Sequence, residues 1–183
     1  NERWLVEDAK ASGARLFLGL STAVAGSLAL GMLMGCLTPV EAFCFPPLSL
    51  LAKIPPTAAL AVFFVLVGTG ENMYVTMIAF GVLPTLTMTV YLAVKEFPEE
   101  LQYKAYTLGA SHLEVIWTIM FRHVLPKLID AVRLVIGPAM VYLIAAEMVV
   151  GDVGFGYRIR LQSKLLNMSV VYPYLAFLAA FGF

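Results

Sequence analysis

The run Met73–Val94, MYVTMIAFGVLPTLTMTVYLAV, holds 22 residues without a charge. At 1.5 Å per residue, a helix of that length reaches about 33 Å, enough to cross the roughly 30 Å hydrocarbon core of a bilayer. Three blocks of similar length flank it: Ala14–Cys36, Pro47–Val67 and Leu128–Val150. A shorter one begins near Val170 and runs to the end of the sequence. Gly68-Thr69-Gly70-Glu71-Asn72 predicts the tight turn before Met73. Composition agrees with this reading. Of 183 residues, 61% are apolar and 13% charged, against about 25% charged in a soluble domain. Twelve Lys and Arg balance twelve Asp and Glu, and mean hydropathy is +0.87. These values exclude a basic nucleic-acid binder, an acidic disordered tail and an ordinary soluble enzyme. The expected fold is all-α: a polytopic transmembrane helical bundle with five spans, the last truncated, forming one domain over 1–183. The polar, Met-less start Asn1-Glu2-Arg3-Trp4 and the apolar end Phe177–Phe183 read as the edges of a piece of a longer chain.

Local chemistry refines the spans. Ser27, Gly31 and Gly35 recur every four residues and predict a small-residue face against a neighbouring helix. Pro55-Pro56 predicts a kink in the second block. The backbone groups it frees must be satisfied by protein or a wet cavity, so the kink is expected to face other helices or a pathway. Cys36 and Cys44 read as packing thiols, because two cysteines make neither a disulfide framework nor a zinc site.

The long polar interruption is Lys95–Lys127, which holds Lys104, Arg122, His112 and His123. Its cationic charge places it in the cytoplasm by the positive-inside rule, although Arg158, Arg160 and Lys164 would then lie on the opposite side. It reads as two short amphipathic helices. Pro98 suits a first helical position, Glu99 and Glu100 suit the first turn, and Leu101, Ala105 and Leu108 form a stripe. Gly109 fits a left-handed helix end. Ser111 and Glu114 form a capping-box pattern for a second helix with the stripe Leu113, Ile116, Trp117, Met120 and Val124, after which Pro126 marks a turn into the next span. By composition this segment is either a compact knob or a loop lying on lipid headgroups. The two histidines are expected to be solvated.

The run Tyr103-Lys104-Ala105-Tyr106-Thr107-Leu108-Gly109-Ala110-Ser111, with Ile119 beyond it, resembles the EAA loop of binding-protein-dependent ABC importer permeases. That pattern reads Glu-Ala-Ala, three residues, Gly, nine residues, Ile, one residue, Leu-Pro. Ala105, Gly109 and Ile119 match. Tyr103 and Lys104 replace the Glu and first Ala, Phe121-Arg122 stands at the Leu-Pro position, and Leu125-Pro126 follows. The stretches Ile54-Pro55-Pro56-Thr57-Ala58-Ala59-Leu60, Pro84-Thr85 with Thr89, and Ile144-Ala145-Ala146-Glu147-Met148 with Gly151, Gly154, Phe155 and Gly156-Tyr157 are similar to the nitrate/sulfonate/taurine/bicarbonate branch.

The resemblance implies a MetI-like fold lacking its first membrane helix, in the bacterial inner membrane. It implies that Glu99, Glu100, Tyr103, Lys104, Ala105, Leu108, Gly109, Ala110 and Ser111 couple to a cytoplasmic P-loop ATPase. That partner binds ATP and Mg, so no cofactor is expected in this chain. The other expected partners are a periplasmic or lipid-anchored substrate-binding protein, a second permease copy forming a homodimer, and membrane lipid, with no nucleic acid.

Asp130 and Arg133, three apart, are expected to form a structural ion pair. Glu147 lies about 21 Å along the helix from Arg133. It reads either as an anchor for the glycine-rich turn after Gly151 or, with Pro55, Pro56 and Met148, as part of a translocation path or gate. The Gly151–Gly156 string follows a membrane helix and lacks Lys-Ser/Thr, which excludes Rossmann and P-loop readings. With no Ser-His-Asp set, paired acids or metal cluster, no catalytic or metal site is expected. A gradient-driven secondary carrier would need inverted repeats and mid-bilayer binding charges. A simple membrane anchor would need neither kinked spans nor a knob.

Overall fold

The structure, a computed structural model, describes residues 2–181 and the side chains of residues 4–180. The described residues form helices and turns: α1 Glu2–Cys36, α2 Thr38–Leu51, α3 Leu60–Val67, α4 Glu71–Lys95, α5 Glu99–Thr107, α6 His112–Glu114, a π-helical stretch Val115–Met120, α7 Phe121–Val150, α8 Phe155–Lys164 and α9 Met168–Phe181. Among the described residues, three helical stretches are long and apolar enough to cross a membrane: Trp4–Cys36, Glu71–Lys95 and His112–Val150, while α9 is apolar but shorter.

Two sequence expectations change. Pro47–Val67 is not one kinked helix. α2 ends at Leu51, residues 52–59 are turns, and α3 has only eight residues. Pro55-Pro56 falls within these turns, where its missing N–H donors cost no helical bond, whereas Pro46-Pro47 is accommodated inside α2. Nor does Pro126 turn the chain. It lies inside α7, and α6, the π stretch and α7 run as one helix of 39 residues. The expected second hairpin helix is thus the first turns of a membrane-length helix.

The described chain packs as two compact units. One comprises residues 2–23, 54–82 and 135–181. Its core joins Phe155, Ile159, Val171 and Tyr174, with Leu5, Ala9 and Ile144 packed against them. Gly19 on α1 meets Ile78 on α4, and Gly81 lets Pro56 and Tyr142 approach the α4 backbone. The other unit comprises Val24–Lys53 and Leu83–Leu134. Its core contains Met34, Leu48 and Tyr91, with Cys44 against them. Both cysteines are free. Here Ser27 is fully buried, and Gly31 and Gly35 sit against Val90 and Val94 of α4. A side chain at Gly31 would lie 2.6 Å from Val90 Cβ, so glycine is what allows this approach. Contact partners rise together along both helices, so α1 and α4 run parallel. Residues 37–70 are the return stretch that parallel neighbours require.

Candidate functional site

In the first unit, α1 carries Asp8, Ser12 and Arg15 at i, i+4 and i+7, hence on one face. All three are buried, as is Glu147 of α7. They converge on the start of α8. Gly154 N–H donates to Asp8 Oδ1 at 3.0 Å, Phe155 N–H to Ser12 Oγ at 3.0 Å, and Gly156 N–H to Glu147 Oε2 at 2.9 Å. The first N–H groups of a helix have no intrahelical acceptor and form its positive end, so two carboxylates and a hydroxyl satisfy them. Gly154 has φ +129°, a backbone conformation open to glycine, and Glu147 occupies the space beside it.

Two guanidiniums balance the acids. Arg158 Nε donates to Asp8 Oδ2 at 2.9 Å, an oxygen that also accepts from Tyr174 O–H at 2.9 Å. Arg15 Nη1 donates to Glu147 Oε1 at 2.9 Å and to Val153 O at 2.8 Å, while Ser12 O–H donates to the same Glu147 oxygen at 2.8 Å. The other edge of Arg15 grips Glu71 with both of its donors, at 2.7 and 2.5 Å, and its face lies 4.1 Å over the Tyr74 ring. Three carboxylates thus share two cations. Burial of such charges is tolerable only with partners this complete.

Glu147 therefore has no solvent-facing surface, and its carboxylate is not bare: Arg15 pairs with it. Met148 is half-exposed and lines an apolar groove of about 550 Å³ with Val141, Ile144 and Leu175, a groove that Glu147 does not line. Pro56 is buried against Gly81, whereas Pro55 is exposed. The parts of the expected path thus have separate surroundings. Sequence reading missed Asp8, Ser12, Arg15, Glu71 and Arg158. The available signal was three polar residues on one α1 face, Asp8 and Ser12 ahead of the first apolar block and Arg15 at its start.

In the second unit the hairpin is tightly specified. Pro98 caps α5 from outside, one position earlier than expected. At its end Gly109 has φ +87°, with Ala110 N–H donating to Ala105 O and Gly109 N–H to Tyr106 O, a Schellman ending. Ser111 then caps α6 reciprocally with Glu114, at 2.8 Å from Ser111 N–H and 3.3 Å from Glu114 N–H. Ala105, Val115, Met120 and Val124 face inward. The expected stripes are split: Leu108 is 89% exposed, Leu113 67% and Trp117 66%, and Tyr103, outside the stripes, is 67% exposed. Glu99, Glu100 and Lys104 are also exposed.

Charged pairs flank the hairpin. Lys127 bonds Glu96 at 2.6 Å, and Lys95 bonds Glu41 at 2.7 Å. The lysine ammonium at each holds the carboxyl of Glu96 and of Glu41 below its usual range. Asp130 and Arg133 lie 3.6 Å apart, both largely exposed. His112 is exposed, with Nδ1 2.8 Å from the Tyr106 hydroxyl. His123, by contrast, is partly buried. Its ring meets Phe97 edge-on at 5.3 Å, and Nε2 is buried without a hydrogen-bond partner, because α7 turns it inward. Among the described residues, no group of three or more His, Cys, Asp or Glu is placed to hold a metal ion.

Comparison with known proteins agrees with the helical membrane fold. The family described as binding-protein-dependent transport system inner membrane component matches residues 22–183. The taurine transport system permease protein TauC of Escherichia coli K12 is 27% identical over 173 residues, covering 94% of this chain and 63% of TauC. The nitrate import permease protein NrtB of a Synechocystis species is 26% identical over 149 residues, covering 81% of this chain and 54% of NrtB. The chain thus spans less than two thirds of the length of these relatives. A chain of the MetNI methionine ABC transporter, solved in inward-facing conformations, shares the fold with a TM-score of 0.72 at 18% identity, over 98% of this chain and 88% of that one. The chain belongs to the inner-membrane permease family of binding-protein-dependent ABC transport systems.

Proposed function

We propose that this chain passes a small solute of the nitrate, sulfonate, taurine or bicarbonate type across the inner membrane as one permease subunit of an ABC importer. A cytoplasmic P-loop ATPase, which binds ATP and Mg, docks on Glu99–Ser111. A periplasmic or lipid-anchored binding protein delivers the solute. Two copies form the pathway, and the chain itself catalyses no reaction. The observation that supports this most is the apolar surface of the hairpin: Leu108, Leu113 and Trp117 stand in the open on a backbone held by a Schellman ending and a capping box. A rigid knob with uncovered apolar side chains suits a partner's groove, and its direct continuation into His112–Val150 lets a push on the knob reach a membrane helix. Glu147 serves as the anchor of the α8 start, a role supported by its complete burial and its bond from Gly156.

The test is copurification of the permease with its ATPase after Leu108→Asp and Leu113→Asp. Both positions are exposed, so the variants should fold while ATPase binding and ATP-driven uptake are lost. Retention of both activities would refute the docking.

A further inference from the structure

The four donors of Arg15 that are engaged fall on two edges with different surroundings. Nη1 is fixed inside the protein by Glu147 and Val153 O, and Tyr74 lies beneath the guanidinium. Nε and Nη2 face Glu71, whose side chain is 69% exposed while that of Arg15 is 9% exposed. Beside this pair lies a cavity of about 310 Å³, lined also by Ala11, Ala14, Asn72 and Val75. The two partners are therefore not equivalent. Glu71 can swing into water at little desolvation cost. Arg15 cannot leave, and its side-by-side donors would then face the cavity.

Charge favours an exchange over a vacancy. With Glu71 gone, Arg15 and Glu147 form a neutral pair whose remaining N–H groups lack acceptors, which is costly in a buried setting. A ligand restores the original balance if it brings one negative charge and two oxygens spaced like those of a carboxylate. Nitrate, sulfonate and carboxylate groups all match the guanidinium fork. Ala11 and Ala14 leave room for a ligand of a few heavy atoms, Leu18 and Val75 give the cavity an apolar side, and Asn72 offers a further polar contact.

We propose that the Nε–Nη2 edge of Arg15 is a binding seat for a small oxoanion, and that Glu71 occupies it as a tethered stand-in which the anion displaces. This rests on the import reading above and gives the oxoanion group of its solute a place in the chain. A tethered competitor acts at an effective concentration of about millimolar or higher, so removing it strengthens anion binding.

The experiment uses the purified permease–ATPase complex at constant ionic strength, with methanesulfonate as probe and its uncharged isostere dimethyl sulfone as control. Glu71→Gln is expected to bind methanesulfonate about tenfold more tightly than the unaltered protein. Adding Arg15→Lys, which replaces the fork with a point charge, should abolish that gain. In the unaltered complex, methanesulfonate should increase carbodiimide labelling of Glu71, read by mass spectrometry, and dimethyl sulfone should not. Equal affinity in Glu71→Gln, or labelling that ignores methanesulfonate, overturns the proposal, and the labelling arm needs no variant to fold. Copurification of the ATPase is scored in the same preparations. Its absence would refute the import reading, whereas its presence without an anion effect would refute the oxoanion seat alone.

Discussion

The Glu147 network and the hairpin depart from ordinary protein surfaces in opposite directions. In the first, Asp8 and Glu147 lie wholly inside the protein and every carboxylate oxygen has a donor. In the second, Leu108, Leu113 and Trp117 lie outside on a rigid frame. A buried charge that is fully partnered is complete within the chain and serves to fix geometry. An exposed apolar group on a well-ordered backbone is incomplete, and its natural complement is a second surface. The same contrast separates the two kinds of substitution effect: stability should respond in the network, assembly in the hairpin.

The largest expected effect is therefore at Glu147. Glu147→Ala leaves Arg15, Ser12 and the Gly156 N–H facing an empty site and should cost about 3–5 kcal/mol in denaturant unfolding. Glu147→Gln keeps the shape and should cost less. If uptake per folded molecule is unchanged in Glu147→Gln, Glu147 is an anchor and not a gate. Next comes Trp117→Ala. As an exposed aromatic anchor it should weaken ATPase binding by about 2 kcal/mol, or roughly thirtyfold, with unfolding changed by less than about 0.5 kcal/mol. A stability loss equal to the binding loss would erase the contrast. Gly109→Ala introduces a side chain at φ +87° with nothing nearby to clash with, so only backbone strain of about 1–3 kcal/mol is added. Gly70→Ala, in open space and without positive φ, serves as its near-neutral control in the same unfolding assay.

The smallest effect is the pH response of Glu96. Its carboxyl is held down by Lys127, so the pair contributes above the ordinary glutamate pKa of about 4.3 and is lost as pH falls through the lower folded value. The difference in thermal unfolding between the unaltered protein and Glu96→Gln should shrink below pH 4.3 and vanish at still lower pH.

Features set by neighbouring residues were legible before the structure. α4 follows from an unbroken apolar run, and the hairpin turn follows from Gly109, Ser111 and Glu114, whose roles need only a few adjacent backbone groups. Features set by distant residues were not. Ser12 and Arg15 meet Glu147 across 135 and 132 positions, and nothing local to α1 shows that its polar face is sealed. Hydropathy also did not show where the first helix begins, which is at Glu2. It begins the apolar block at Ala14 and leaves Asp8 and Ser12 looking like a polar leader, although paired charges can continue a buried helix. At Pro126, local propensity predicted a boundary, yet the helix runs on through a π-helical stretch and past the proline.

The central claim is that the hairpin, and not the rest of the long helix it opens, meets the ATPase. A cysteine introduced by Leu108→Cys, in a background without Cys36 and Cys44, can be crosslinked to the copurified ATPase and compared with Leu134→Cys. Leu134 is 79% exposed but lies on α7 beyond the hairpin. The account predicts a crosslink from position 108 and none from position 134. Equal crosslinking at both, or at 134 alone, would contradict it.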